Sequence, residues 1–136
     1  VAFQQGPIHG QFEWQTADNS APDGGTDSSF DGMSIQAGWF ATGESRGYKA
    51  ESGTWDRLKP ASNFGSDGGI GAWELAARFS TLDLTEGGAA DDLNVISFAV
   101  NWYLNDYTRL MFDVIKPELD AADDLTIFAL RAAFDF

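Results

Sequence analysis

The sequence predicts an all-β, antiparallel fold. Through most of the 136 residues, apolar side chains alternate with polar or small ones, the two-residue period of a strand and not the 3.6-residue period of a helix. The alternating runs are about 9 to 12 residues long and are separated either by tight turns or by loops rich in Asp, Gly and Ser. A hydrophobic content of 43% rules out a disordered chain despite a formal net charge of -13.

The elements follow in order. Residues 1–5 read as the end of a strand, followed by a Gly6-Pro7 turn and strands over 8–15, 33–42, 71–82, 94–104, 108–116 and 125–136, six strands and a stub. Asn105-Asp106 is the second tight turn. Residues 17–31, 83–93 and 117–124 form longer acidic connections, so one end of the sheet is tightly turned and the other is looped. Residues 43–70 break this pattern. They fall at the short-turn end yet are far too long for a turn, and a stretch of this size in a compact architecture is usually functional or disordered.

Each strand has one greasy face and one small or polar face. Ile8, Phe12 and Trp14 oppose His9, Gln11, Glu13 and Gln15, and Trp73, Leu75, Ala77 and Phe79 oppose Glu74, Ala76, Arg78 and Ser80. Ile96, Phe98, Val100 and Trp102 oppose Val95, Ser97, Ala99, Asn101 and Tyr103. Leu110, Phe112 and Val114 oppose Arg109, Met111 and Asp113, while Phe128, Leu130, Ala132 and Phe134 oppose Ala129, Arg131 and Ala133. A soluble sandwich or lipocalin-like barrel would hide the greasy side; a membrane barrel would show it to lipid. Two features favour the membrane barrel. Glu13, Glu74, Arg78, Arg109, Asp113 and Arg131 are costly in a dry core but suit a watery lumen. Trp14, Trp39, Trp73, Trp102, Phe134 and Phe136 lie near strand ends, where interfacial girdles belong. The strand length also suits a tilted membrane strand.

Six strands cannot close, since single-chain barrels start at about eight. The chain is therefore expected to be part of a larger barrel, and Val1 is not expected to be where the gene starts.

Four separated motifs carry a resemblance. The runs Gly38-Trp39-Phe40-Ala41-Thr42-Gly43-Glu44-Ser45-Arg46-Gly47-Tyr48, Gly71-Ala72-Trp73-Glu74-Leu75-Ala76-Ala77-Arg78-Phe79-Ser80, Asn101-Trp102-Tyr103-Leu104-Asn105 with Arg109-Leu110-Met111, and Leu130-Arg131-Ala132-Ala133-Phe134-Asp135-Phe136 resemble the C-terminal part of the phosphate-selective porin O and P family. The resemblance implies that residues 1–136 are about the last six strands of a single sixteen-stranded barrel domain with an inserted long turn at 43–70. It also implies a homotrimer, a multi-pass place in the outer membrane of a Gram-negative bacterium, and passive diffusion of anions, notably phosphate or polyphosphate, through a constricted Arg- and Lys-lined pore.

The charges fit such a path only in part. Asp18, Asp23, Asp27, Asp31, Asp83, Glu86, Asp91, Asp92, Glu118, Asp120, Asp123 and Asp124, twelve of the 21 acids, fall in the long connections, and none of the 8 bases does. The outer mouth is thus expected to be strongly negative and the pore region close to neutral. Arg78, Arg109 and Arg131 are expected to line the pore with Glu74 and Asp113; guanidinium forks onto phosphate oxygens. The alternative is that these arginines pair with Glu74, Asp113 and Asp135 and merely solvate the lumen.

Residues 43–70 carry Arg46, Lys49, Arg57 and Lys59, the expected constriction, with Tyr48, Trp55 and Phe64 as anchors and Gly65, Gly68 and Gly69 permitting the return. The alternative is a loop outside the pore. Phe136 and Phe134 end the chain in a pattern resembling the signal read by the barrel assembly machinery. The acidic loops lack a complete calcium-loop spacing and read as a solvated surface, with divalent cations bridging to lipopolysaccharide as an option. No cofactor is expected.

Other functions are disfavoured. The chain has no Cys and a single His, against a disulfide scaffold or a His-cluster metal site, and 21 acids against 8 bases repel nucleic acid. His9, expected to face the lumen, completes no triad, and Glu13 and Glu74 are not brought together, so the chain is not read as an enzyme. The competing reading is a structural or adhesive outer-membrane barrel with acidic surface loops and no channel role.

Overall fold

A computed structural model describes residues 1–20, 28–83, 92–119 and 125–135. Among the described residues nine strands follow one another: β1 (Ala2–Gln5), β2 (Ile8–Asn19), β3 (Ser28–Phe40), β4 (Tyr48–Lys49), β5 (Thr54–Trp55), β6 (Ala72–Asp83), β7 (Leu93–Asn105), β8 (Thr108–Leu119) and β9 (Ile127–Phe134). Seven form one antiparallel meander in the order β1-β2-β3-β6-β7-β8-β9, and β4 and β5 form a small separate hairpin inside the long insertion. The expected six strands and a stub are therefore present, each paired with its neighbour in sequence once the insertion is skipped.

The strands run further toward the looped end than the alternation suggested. β2 reaches Asn19, β3 starts at Ser28 and β8 reaches Leu119, so Asp18, Asp31, Asp83 and Glu118 belong to strands and not to loops. Polar strand ends carry no apolar alternation to reveal them, but the ladder continues regardless of side chain. Asp31 and Asp83 even sit directly opposite each other across β3 and β6. The acids at 23, 27, 86, 91, 120, 123 and 124, and Phe136, lie outside the described residues. At the other end, the second tight turn is Asp106-Tyr107, one residue later than expected, because β7 and β8 shift register between Tyr103 and Asn105. That bulge inserts one residue into β7 and moves the turn along.

Register fixes the two faces, because residues directly opposite across a ladder share a side. One row runs Ile8–Trp39–Leu75–Val100–Phe112–Leu130, all apolar, and another runs Phe12–Ile35–Phe79–Ile96, apolar until it meets Lys116 on β8. The opposite face carries His9–Gly38–Ala76–Ala99–Asp113 and Gln11–Gln36–Arg78–Ser97–Ile115. The apolar face is the bare one: Trp14, Ile35, Trp39, Leu75, Phe98, Phe128 and Leu130 are all exposed. Every fully buried side chain of the sheet (His9, Phe40, Ala72, Glu74, Tyr103, Met111) lies instead on the polar face, where part of the insertion covers it. A water-soluble sheet would bury its oily side; this one leaves it uncovered and shelters charge.

The bare band has the height of a bilayer core. It runs from Trp14, Met33 and Thr81 down to Trp73, Trp102 and Phe134, about eight residues at roughly 3.4 Å each along tilted strands, on the order of 20 Å against the ~25 Å usual for membrane barrels. Beyond Thr81 the same face turns polar, with Thr16 donating to Asp31 at 2.8 Å. Trp14 marks the looped boundary; Trp39, Trp73 and Trp102 mark the turned one, where the last two stack with centroids 5.0 Å apart.

Candidate functional site

The chain leaves β3 at Ala41-Thr42, where the Ala41 amide bonds the Trp73 carbonyl at 2.8 Å and Gly43 adopts a positive φ that lets the backbone turn away. The segment then straddles the wall. Its first half crosses the polar face: Trp55 meets the His9 ring edge-on at 5.3 Å and donates from Nε1 to Gln11 Oε1 at 3.0 Å, and Leu58 is buried with Phe40, Ala72 and Tyr103. Its second half returns around the turned rim to the apolar face. There Phe64 packs edge-on against Trp102 at 4.8 Å, its amide bonds Leu104 O at 2.7 Å, and the Ile70 carbonyl accepts from Trp102 Nε1 at 2.8 Å. Trp55 and Phe64 are thus wall anchors as expected, but on opposite sides. Tyr48 packs on Trp55 at 5.1 Å and stays exposed.

A cavity of about 630 Å³ opens on the polar face. All five residues expected to line a pore, Glu74, Arg78, Arg109, Asp113 and Arg131, border it, and Arg46 reaches into it from the insertion. The rest of the expected constriction set sits elsewhere. Lys49 pairs with Asp56 at 3.0 Å within the hairpin, Lys59 is exposed, and Arg57 lines a smaller cavity of about 180 Å³ at the turned end, which Arg46 and Arg109 also border.

The charges do not cancel as sequence arithmetic suggested. Of the three acids posed as partners for the wall arginines, Glu74, Asp113 and Asp135, only Asp113 meets one of them, Arg131, at 3.7 Å. Asp135 approaches Arg57 at 4.0 Å, and Arg57 also lies over the Tyr107 ring at 5.3 Å. Glu74 is buried and bonded by groups that are not arginines: His9 Nε2 at 2.7 Å, Asn101 Nδ2 at 2.9 Å and Tyr103 Oη at 2.8 Å. Arg78 has no ion-pair partner among the described residues, and the Nε atoms of Arg46 and Arg109 are shut from solvent with no hydrogen-bond partner. The cavity therefore holds four arginines against two carboxylates, one of them already satisfied by neutral donors and a histidine. A field of this sign attracts anions and repels cations.

Sequence reasoning placed His9 and Glu74 on one face but not together. They are 65 positions apart and meet only through the register of β2, β3 and β6, with Gly38 between them. The glycine at 38, opposite His9, was the available signal. Among the described residues no group of acidic or histidine side chains is placed to hold a metal ion.

An antiparallel sheet with an oily uncovered face, aromatic rims and a charged, sheltered opposite face defines the wall of a transmembrane β-barrel. Comparison with known proteins agrees. All of residues 1–136 match the family Phosphate-selective porin O and P. The chain is 35% identical over 122 residues to an uncharacterized protein of Caulobacter vibrioides, covering 79% of this chain and 24% of that one. It is 28% identical over 130 residues to Porin O of Pseudomonas aeruginosa, covering 88% of this chain and 28% of that one. The chain belongs to the phosphate-selective porin O and P family, a family of outer-membrane channels and not of enzymes. It spans about a quarter of the length of the curated relatives it matches.

Proposed function

We propose that this chain supplies the C-terminal part of an outer-membrane barrel through which small anions diffuse passively. Arg46, Arg78 and Arg109 lie along the path, and residues 43–58 narrow it. The observation that carries this reading is the cavity with four arginines in which Glu74 is held by His9, Asn101 and Tyr103 instead of neutralising a guanidinium. An unpaired guanidinium row replaces part of an anion's hydration shell and lowers its barrier to entry.

Phosphate is the anion that the family's description names, with polyphosphate as a longer substrate of the same chemistry. In this reading the complete protein is a homotrimer with sixteen strands per barrel, multi-pass in the outer membrane of a Gram-negative bacterium. The final strand, with Phe134 on its lipid side, serves as the mark recognised during barrel assembly, and the acidic outer mouth meets lipopolysaccharide. Family membership supports the outer-membrane barrel among these points.

Planar-bilayer recording of the full-length protein tests the proposal. Channels whose reversal potential in a salt gradient favours anions are expected. Absence of channels would leave only a structural or adhesive barrel, and cation preference would show that the acidic mouth dominates.

A further inference from the structure

His9 is buried to 6% exposure, and its ring is fixed from four sides. Nε2 is bonded to Glu74 at 2.7 Å, Phe40 lies 5.4 Å away on one flank, Trp55 stands edge-on at 5.3 Å, and the missing side chain of Gly38 leaves the space the imidazole fills. Its other nitrogen, Nδ1, is equally buried and has no partner. Glu74 is in turn held to β7 by Asn101 and Tyr103, so the histidine is clamped to two strands besides its own. Trp55 rests on this ring, fastened by its bond to Gln11, and the Arg46 guanidinium lies over the Trp55 ring at 5.9 Å. A chain of contacts thus runs from Glu74 through His9 and Trp55 to the one cationic side chain that the insertion puts into the large cavity.

We propose that His9, oriented by Glu74, is a positioning residue for Arg46: it is the seat on which Trp55 carries that guanidinium over the cavity. This rests on the cavity being an anion path. A hydrogen bond to Oε1 sets the ring's orientation, and the ring's face and edge set the height of Trp55; neither alone suffices. The charged and titratable groups around His9 are Glu74 on β6, Tyr103 on β7 beyond it, Arg46 on the insertion and Arg109 on β8 across the cavity. β1 and β3 offer only Gln4, Gly38 and Phe40 there.

The experiment is a double-mutant cycle in full-length protein in planar bilayers. Arg46→Ala and His9→Ala are each expected to lower the anion-to-cation permeability ratio about twofold or more, and the double variant to equal Arg46→Ala alone. His9→Gln, which keeps a donor for Glu74 but no ring, is the milder variant if His9→Ala fails to assemble, and it should lower the permeability ratio in the same direction. Additive effects, or a His9→Gln channel with the wild-type permeability ratio, would overturn the assignment. Wild-type channels without anion preference would refute the anion path separately. The seat would then be judged by tryptic cleavage after Lys49 and Arg57: faster cleavage in His9→Ala upholds it and an unchanged rate overturns it.

Discussion

The imidazole of His9 fills the volume that a side chain at Gly38 would need: a Cβ there would fall 2.3 Å from His9 Nε2 and 3.1 Å from Glu74 Oε1. The two residues face each other directly across β2 and β3.

Gly38→Ala should therefore push the ring off Glu74. Overpacking typically costs about 1 to 3 kcal/mol, and urea unfolding of the full-length protein in detergent micelles should show a loss in that range. A change below about 0.5 kcal/mol would mean the pair is not fixed as described.

The arginines of the wall are not equivalent. Arg131 has Asp113 at 3.7 Å, whereas Arg78 has no ion-pair partner among the described residues. Arg78→Ala should shift the reversal potential toward cations more than Arg131→Ala does, in bilayer recordings of the two single variants. Equal shifts would contradict the pairing.

The insertion's grip on the polar face depends on Leu58, which is buried with Phe40, Ala72 and Tyr103. Leu58→Ala removes a buried side chain, a change that usually costs about 2 to 5 kcal/mol. Here the loss should appear as local release. Limited trypsinolysis should cut after Lys49 and Arg57 faster, and single-channel conductance should increase while the barrel stays folded.

The hairpin of the insertion carries its own pH response. The side-chain bond from Lys49 lowers the carboxyl pKa of Asp56 from its usual value, helped by the Arg57 backbone amide. A depressed folded value means the contact contributes above the ordinary carboxylate range and is lost as acid carries the pH down through it. Chemical shifts of Tyr48 and Trp55, which pack on each other at 5.1 Å, should thus hold constant through mildly acidic pH and change only below the range where free aspartate titrates. Both partners are solvent-exposed, so the effect is local and global stability should not follow it.

Much of this architecture was legible from the two-residue alternation, because apolar identity directly reports which side of a strand meets lipid. Trp73 and Trp102 at the rim and Glu74, Arg78 and Arg131 on the polar side all fell where alternation put them. What alternation cannot carry is contact between distant positions. The bond from His9 to Glu74 depends on the stagger of three strands, and Phe64 reaches the outer face only because the backbone turns around the rim. Polar strand ends were missed because Asp18 and Asp31 have the composition of loops while their backbones remain in the ladder. Near-neutrality was wrong at the cavity because summation ignores direction: Asp135 points toward Arg57, and Glu74 spends its oxygens on His9, Asn101 and Tyr103.

The insertion is fastened inside the wall at Trp55 and Leu58 and outside it at Phe64, with the rim between. A beam clamped at both ends deflects far less under thermal forces than one fixed at a single end. The current through such an opening should accordingly be quiet, with little flicker, and unfastening the outer clamp by Phe64→Ala should make it noisy before it makes it wide.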